Sequence, residues 1–188
     1  MRVIDTPLVD IKIIEPVIFE DARGFFFESF NQSRFEAAIG RRVDFVQSNH
    51  SRSRIGVVRG MHYQVAPHAQ AKLIRVARGA AYDVAVDLRC GSSTFGQWTG
   101  TLLSAENRRQ LWIPEGFAHG FMAVADDTEV LYQTTGLWVR DAERAIAWDD
   151  PALGIRWPEV GSPLLSDKDA AAARFGTLER LKTQICVK

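Results

Sequence analysis

The middle of the chain consists of short apolar segments separated by turn-forming residues. Strands are predicted where β-branched, aromatic and leucine residues cluster, at residues 72–76, 80–88, 95–103, 111–113, 119–124 and 129–134. Glycine, proline, serine and aspartate fill the intervals, as in Pro114-Glu115-Gly116. Because no helix separates these strands, the pattern predicts an all-β fold, an antiparallel sandwich or barrel, rather than βαβ units.

Strict alternation in the segment 80–88 separates two faces of one strand. The more apolar face carries Tyr82, Val84, Val86 and Leu88, and the other face carries Asp83, Ala85 and Asp87. We expect the first face to pack in the core and the second to face a wet space.

Two short helices are predicted from their terminal signals. The first spans residues 33–39, with Gly40 as its stop. The second opens at Ser166, has Asp169 at the N3 position of a capping-box-like motif, and continues to Phe175. No repeat or linker divides the chain, so we predict one domain, 1–188, with a core at about 43–150 and a C-terminal helical segment at about 164–188.

Composition and charge exclude several classes of protein. The 188 residues are 46% hydrophobic and 24% charged, which is typical of a soluble globular domain. Lysine and arginine number 23, as do aspartate and glutamate, so no global field attracts nucleic acid or an anionic membrane. Any binding of anions is therefore expected to be local.

The N-terminus and the cysteines point to the cytoplasm. Charges interrupt the apolar residues of the first 16 positions, which argues against a signal peptide, and no apolar run is long enough to span a bilayer. Cys90 and Cys186 are the only cysteines, too few for a disulfide framework or a thiolate zinc site. A cytoplasmic protein that does not bind membranes is predicted.

Histidine is scarce, and two of the four histidines lie in marked local contexts. We expect His50 and His68 to be structural. His119 closes a P-x-G-x-x-H segment that resembles the second motif of cupin barrels. Metal cupins add further histidines from a first motif, but here Tyr63 and Gln64 follow His62. The sequence therefore predicts a barrel without a catalytic metal.

Four polar residues could form a site. Lys72 and Tyr132 lie in the strands predicted above, and Arg59 and His62 lie in the segment 57–64, which also has the pattern of a strand. Inward-facing positions of such strands converge on one cavity. Alternatively, the cations extend from a sheet edge and the tyrosine packs with its hydroxyl at the rim. Imidazole can take a proton, phenol can return one, and a buried ammonium can stabilise an enolate. The set favours proton removal and return beside a carbonyl, without a cofactor.

At two places, strict strand alternation puts two candidate site residues on opposite faces, so both can reach one site only if the backbone bends. Arg59 and His62 are three positions apart, so strict alternation places them on opposite faces unless the strand bends or ends at Gly60. Arg23 and Glu28 pose the same problem in the segment RGFFFES, where Phe25 and Phe27 are predicted to be core. The guanidinium groups of Arg23 and Arg59 would suit a diphosphate.

Several motifs together resemble one family over nearly the whole chain, from about residue 2 to about residue 175. They are RGFFFES, FVQSNHS, VRGMHYQ, AKLIRV, YDVAVDLR, SSTFGQW, QLWIPEGFAHGF and IAWDDP. In order and spacing they closely resemble the dTDP-4-dehydrorhamnose 3,5-epimerases. The resemblance implies a cupin-like jelly roll and a cofactor-free homodimer. It also implies inversion of C3 and C5 of dTDP-4-dehydro-6-deoxy-glucose, in the synthesis of dTDP-L-rhamnose for bacterial surface polysaccharide such as O-antigen.

Carried over by position, the resemblance assigns roles to individual residues. His62 matches the general base, Asp169 the carboxylate that orients it, Tyr132 the general acid, and Lys72 the group beside the C4 oxygen. The positions that match contacts to the nucleotide sugar are Arg23, Glu28, Gln47, Ser48, Asn49, Arg59, His119, Glu143 and Lys168.

Three departures from the family pattern are visible. Trp138 stands where a tyrosine usually stacks on thymine, and its ring keeps a π-face for stacking. Ser48 replaces a common acidic residue, a mild change if the backbone makes the contact. The segment around Leu137 is less aromatic than usual, which bears on how tightly the pocket closes.

Three alternatives remain open at the level of sequence. One is an epimerase that acts only at C3 or only at C5. The second is a cupin that binds a sugar nucleotide without catalysis, and the third is a metal-dependent cupin oxygenase or isomerase.

Overall fold

Strands dominate the computed structural model, which describes residues 1–176. They are β1 (Arg2–Asp5), β2 (Lys12–Glu15), β3 (Phe19–Asp21), β4 (Gly24–Phe26), β5 (Gln47–Ser53), β6 (Val58–Gln64), β7 (Lys72–Arg78), β8 (Ala80–Asp87), β9 (Trp98–Ser104), β10 (Gln110–Ile113), β11 (Phe117–Ala123), β12 (Thr128–Thr134) and β13 (Glu143–Ala145). Each strand predicted from the sequence is present, with boundaries shifted by up to three residues.

The first helix follows its prediction closely and the second does not. α1 (Gln32–Ile39) is capped by Asn31, and Gly40 ends it at φ +74°. α2 (Asp167–Ala170) starts where predicted, because the Ser166 hydroxyl accepts from the Asp169 backbone N–H at 3.2 Å. The predicted continuation of α2 to Phe175 is wrong.

Backbone pairing explains why α2 is short. Ala173 forms a parallel bridge with Ile146, and the Ala147 N–H donates to the Ala173 carbonyl at 2.9 Å. The extended backbone of a β-bridge at Ala173 is incompatible with helical dihedral angles, so the helix cannot run through this residue. Residues 177–188 of the predicted C-terminal segment lie outside the described residues. Within residues 1–176, no helix is both long and apolar enough to cross a bilayer.

Two antiparallel sheets form the body of the protein. The six-stranded sheet has the order β1-β2-β10-β7-β12-β5, and the five-stranded sheet has the order β13-β6-β11-β8-β9. β3 and β4 form a separate hairpin. This arrangement confirms the predicted antiparallel jelly roll, although the two sheets do not join into a closed barrel.

Three apolar clusters hold the layers together. The inner cluster takes side chains from both sheets, for example Ile74 of β7 and Phe121 of β11. A second cluster covers the outer face of the five-stranded sheet and includes Val84, Ile146 and Phe175. The third cluster, centred on Phe35 of α1, covers the six-stranded sheet. Both faces of each sheet are therefore partly buried, and each buried aliphatic side chain contributes roughly 1.5–3 kcal/mol.

Two expectations about exposure are wrong. Asp83 and Asp87 of β8 are fully buried instead of facing a wet space. Burial raises the pKa of Asp87, but hydrogen bonds from Arg89, Ser92 and Thr94 outweigh it and lower that pKa to about 2. Phe25, expected in the core, is 58% exposed on the β3–β4 hairpin. The alternation of β8 is correct, but the polar face points inward and is paired there rather than hydrated.

Candidate active site

A cavity of about 670 Å³ opens between the two sheets beside α2. Its walls come from β5, β6, β7, β11, β12 and β13 and from the segment that leads into α2. Most of the site residues predicted from the sequence line it, namely Gln47, Asn49, Arg59, His62, Lys72, His119, Tyr132, Trp138, Glu143, Lys168 and Asp169. The four strand residues singled out for chemistry therefore converge, as expected for inward-facing positions.

His62 and Asp169 form a hydrogen-bonded pair in this cavity. The Nε2 atom of His62 lies 2.5 Å from Oδ1 of Asp169, whose side chain is only 5% exposed. Burial raises the pKa of Asp169, but the hydrogen bond from His62 leads a set of interactions that leave it below the usual value. Asp169 is therefore a carboxylate, which can only accept, so Nε2 carries the proton. In the neutral imidazole, Nδ1 then has a lone pair that can receive a proton from a substrate.

The start of α2 delivers Asp169 to His62. Ser166 caps the helix through the Asp169 backbone N–H, while the Asp169 side chain points to β6. Asp169 thus combines the capping position and the pairing with histidine, both of which the sequence permits.

Lys72 places its ammonium group deep in the cavity, although the residue as a whole is half-buried. It is the first residue of β7, opposite Thr134 of β12 and Ile113 of β10. Burial lowers the pKa of its ammonium group to about 8, a drop that the nearby charges of Asp83 and Glu143 partly oppose. At neutral pH most molecules therefore keep this charge, which interacts more strongly with a nearby charge in the protein than it would in bulk water.

His119 belongs to a second histidine–carboxylate pair, deeper in the fold. Its Nε2 donates to both oxygens of Asp83, at 2.9 and 3.0 Å. Burial lowers the pKa of His119, and the positive charge of Lys72 adds to this effect, although Asp83 opposes it. His119 is therefore neutral at pH 7 and faces His62 across the β6–β11 pair.

Tyr132 lies on β12, between Asn49 of β5 and Ile74 of β7. Burial raises the pKa of its phenol, and the positive charge of Arg59 offsets this only in part. The phenol therefore holds its proton at neutral pH, which is the state required of a proton donor.

A β-bulge brings Arg59 and His62 to the same cavity. In the β6–β11 pair, His62 lies opposite His119 and Arg59 lies opposite Phe121, so three steps on β6 match two steps on β11. The extra residue falls at Gly60, where φ is +127°. This bulge supplies the bend at Gly60 that the spacing of Arg59 and His62 requires.

Replacing Gly60 with alanine is expected to lower the free energy of unfolding by about 3 kcal/mol. A Cβ there would lie 2.5 Å from the Gly120 Cα and 2.8 Å from the His119 carbonyl oxygen, both backbone atoms. Gly24→Ala is the matched control, because Gly24 has φ +125° but open space around its Cβ position. Urea denaturation of both variants separates the clash from the backbone strain. Equal losses would contradict the role of close packing.

The rim of the cavity carries an ion pair and an aromatic ring. Lys168 of α2 and Glu143 of β13 lie 2.5 Å apart. Burial raises the pKa of Glu143, but Lys168 and then Trp138 outweigh it and lower that pKa. Trp138 is 50% exposed at the mouth, and its backbone N–H donates to the Gln47 side chain at 3.0 Å.

Three predicted contact residues do not reach this cavity. Arg23 is exposed on the β3–β4 hairpin and pairs with Asp21. Glu28 is exposed after β4 and pairs with Arg34 of α1 at 3.1 Å. Ser48 points away because β5 alternates, leaving only its backbone beside Gln47 and Asn49. Convergence of all the predicted residues within one chain is therefore not found.

Further residues that the sequence did not single out also line the cavity. They include Ser51, Arg54, Gln64, Gln70 and Thr134. Alternation offered a usable signal for Ser51, since it shares the face of Gln47 and Asn49 on β5, and for Thr134, which shares the face of Tyr132. The glutamines carry no such signal, because an isolated amide gives no hint of chemistry.

The described residues offer no ready metal site. Within residues 1–176, no group of three or more histidine, cysteine, aspartate and glutamate side chains is placed to hold one metal ion. His62 and His119 are each committed to a carboxylate through Nε2.

Comparison with known proteins gives consistent matches. The family model for dTDP-4-dehydrorhamnose 3,5-epimerase matches residues 5–177. A dTDP-4-dehydrorhamnose 3,5-epimerase of Shigella flexneri is 55% identical over 175 residues, which cover 93% of this chain and 96% of that protein.

Solved structures agree in fold. The dTDP-6-deoxy-D-glucose-3,5-epimerase of Legionella pneumophila, in complex with dTDP-4-keto-L-rhamnose, is 46% identical with a TM-score of 0.92, over 96% of each chain. A 3′-monoepimerase of Streptomyces bikiniensis, in complex with dTDP-quinovose, is 36% identical with a TM-score of 0.89, over 94% of this chain and 89% of that one. Together, the family match and these identities show that the chain belongs to the dTDP-4-dehydrorhamnose 3,5-epimerase family of isomerases.

Proposed function

We propose that the protein inverts C3 and C5 of dTDP-4-dehydro-6-deoxy-D-glucose, giving dTDP-4-dehydro-L-rhamnose in the biosynthesis of dTDP-L-rhamnose. The observation that carries this proposal is the convergence of an imidazole–carboxylate pair, a buried ammonium and a protonated phenol on one cavity. Both carbons of the substrate lie next to the C4 carbonyl, so each C–H bond is acidic enough to be broken by a positioned base. No cofactor is needed for this chemistry.

In the first step, Nδ1 of His62 removes the proton from the carbon next to the carbonyl. The electron pair of the broken C–H bond forms a C=C bond, and the carbonyl electrons move onto the C4 oxygen as an enolate. Asp169 stabilises the imidazolium that forms, through Nε2. Lys72 stabilises the enolate oxygen, where a fixed charge in a poorly hydrated site is most effective.

In the second step, the enolate collapses and the same carbon takes a proton from the opposite face. Tyr132 is the donor, because its raised pKa keeps the phenol protonated until the carbanion draws the proton away. Solvent then restores the phenol and removes the proton from His62. Repetition at the second carbon completes the double inversion.

Groups at the cavity mouth bind the nucleotide. Arg59 donates through Nε to the Ser53 hydroxyl at 3.0 Å and through Nη2 to the Arg52 carbonyl at 3.2 Å. Both N–H groups of Nη1 and one of Nη2 remain for a phosphate. Trp138 offers an exposed ring to the base, and Gln47, Asn49, His119 and the Glu143–Lys168 pair supply further polar contacts.

The rate constant kcat/KM is expected to fall as pH rises above about 8. Burial lowers the pKa of Lys72 to about 8, so the ammonium is present below that pH and is lost above it. The neutral amine cannot stabilise an enolate by charge. A pH profile between about 6.5 and 9.5 measures this limb. In Lys72→Arg the limb should disappear from this range, and a flat wild-type profile to pH 9.5 would contradict the assignment.

Product stereochemistry tests the proposed function. The purified protein is incubated with dTDP-4-dehydro-6-deoxy-D-glucose, and the proton coupling constants of the product are read by NMR. Inversion at both carbons supports the proposal. Inversion at one carbon supports the single-carbon alternative, which the likeness to the 3′-monoepimerase keeps relevant. Binding without conversion supports a binding protein, and activity that requires added metal supports a metal-dependent enzyme.

The proposal includes a cytoplasmic homodimer. Arg23 and Glu28 match contacts to the nucleotide sugar by resemblance, yet both lie outside the cavity of their own chain. The β3–β4 hairpin that leads to them exposes Phe19, Phe25 and Phe26 by 63%, 58% and 70%. Burial of these rings against a second copy would offset their exposure and bring Arg23 to the partner's cavity.

Mixing two inactive variants is expected to restore activity if this arrangement is correct. Arg23→Ala and His62→Asn are each purified, then combined under conditions that allow subunit exchange. A mixed dimer holds one cavity with both native residues, so about a quarter of wild-type activity should return. Two His62→Asn preparations mixed in the same way are the control. Failure of the mixture to recover activity in a confirmed heterodimer would contradict the shared site.

A further inference from the structure

Gln64 is a buried glutamine whose side-chain amide hydrogen-bonds to backbone groups of two loops, the one after β6 and the one after β12. It lies at the end of β6, two residues after His62, and is 5% exposed. Its Nε2 donates to the carbonyls of His68 at 2.7 Å and Leu137 at 3.1 Å. Its Oε1 accepts from the Val139 N–H at 2.6 Å. The amide therefore bonds to both residues that flank Trp138.

Trp138 is held at its own backbone as well. Its N–H donates to Oε1 of Gln47 at 3.0 Å, and Nε2 of Gln47 in turn donates to the Asn49 side chain at 2.9 Å. On the outer side, a hydrogen bond from the Trp138 side chain is among the interactions that lower the pKa of Glu143. The backbone of Glu143 pairs with that of Gln64 in the sheet. Residues 137–139 are thus fixed to β5 and β6 on both sides of the tryptophan.

This fixation contrasts with the exposure of the ring. Leu137 and Trp138 are 62% and 50% exposed, so little packing orders the segment that carries them. An exposed loop normally loses conformational freedom when it binds a ligand, and that loss weakens binding. Hydrogen bonds from a buried amide remove that freedom before the ligand arrives.

The chemistry of the contact requires glutamine. Two carbonyls need donors and one N–H needs an acceptor, all on one side chain of this length. Glutamate has no donor when ionised, and asparagine is one methylene shorter. Because the amide is buried, each lost bond also leaves a backbone group without a partner.

We propose that Gln64 is a positioning residue that holds Trp138 as a preformed stacking platform for the nucleotide base, and so sets the affinity for the nucleotide rather than the rate of proton transfer. This inference rests on the proposed function for the identity of the ligand. Gln64 is thus assigned to binding, although it lies only two residues from His62 along β6.

The test measures binding and turnover separately in Gln64→Glu. We expect the Kd for dTDP, measured by calorimetry, and the KM for the dTDP-sugar each to rise about tenfold, with kcat changed by less than about twofold. Gln64→Met is measured in parallel, because it removes the amide without placing a carboxylate beside Glu143. Gln97→Glu is the matched control, since Gln97 is exposed on the loop before β9, outside the cavity.

A double-mutant cycle separates positioning from a general structural effect. Trp138→Ala should weaken dTDP binding by itself, and the Gln64 substitutions should add no further loss in that background. An unchanged Kd in both folded Gln64 variants, or an equal loss with and without Trp138, would overturn the inference. Since dTDP binding needs no turnover, a protein that binds dTDP through Trp138 but does not epimerise would refute the proposed function and leave this inference standing.

Discussion

Replacing His62 with asparagine is expected to lower the rate of epimerisation at both carbons by about 10²–10⁴-fold, the range that a positioned general base contributes. Asparagine cannot accept a proton at neutral pH, although it can still donate to Asp169 and preserve the helix start. The Kd for dTDP should change little, because the proposed contact of His62 is with the sugar, which dTDP lacks. Steady-state assays and calorimetry on the same preparation measure the two effects.

His50→Asn is the control for His62. His50 lies on β5 and pairs with Glu129 at 3.2 Å, and its side chain is 55% exposed. The control should retain wild-type rates. A His62 variant that keeps more than about a tenth of the wild-type rate would remove His62 from the role of base.

Substitution of Lys72 by methionine is expected to lower kcat by about 10²–10³-fold, the usual cost of removing one charge-stabilising group. Methionine fills a similar volume without the ammonium group, so the enolate oxygen would develop its charge without a cation. The variant should also be at least as stable as the wild type at neutral pH. Burial lowers the pKa of Lys72 to about 8, which shows that the fold disfavours the charged form.

The sign of that stability effect can be checked independently. A folded pKa below the unfolded value means that the charged lysine costs stability at low pH, and that this cost disappears as pH rises from about 8 to above 10. Lys12→Met is the control, because Lys12 pairs with Asp5 outside the cavity. A Lys72→Met enzyme with normal kcat would contradict the assignment of Lys72 to the enolate.

The pattern of apolar residues predicted most of the fold because a strand can be recognised from the few residues that form it. Alternation in β8 identified two faces correctly, and the terminal signals of α1 placed its ends within a residue. The length of α2 was not predictable in this way. Its alanines favour a helix, but Ala173 instead forms a β-bridge with Ile146, which is distant in the sequence.

The site shows the same division between local and tertiary information. Residue types and strand membership were enough to gather Arg59, His62, Lys72 and Tyr132, and the spacing of the first two required the bend found at Gly60. Periodicity could not show that Asp83 is buried against His119, since burial of a charge depends on a partner from another strand. Nor could it show that Arg23 lies outside its own chain's cavity.

Gln64 illustrates a third limit. Its proposed role depends on three hydrogen bonds to residues up to 75 positions away, and no local sequence pattern indicates them. The substitution of tryptophan for the tyrosine usual at position 138 was visible in the sequence, whereas the amide that orients the ring was not.

Deuterium wash-in tests the central claim most directly. The enzyme acts on dTDP-4-dehydro-6-deoxy-D-glucose in heavy water, and proton NMR follows each ring position. Removal and return of protons by His62 and Tyr132 through an enolate predicts deuterium at both C3 and C5, and at no other carbon of the ring. Incorporation at neither carbon, or at only one of them, would contradict an account in which this cavity inverts both centres.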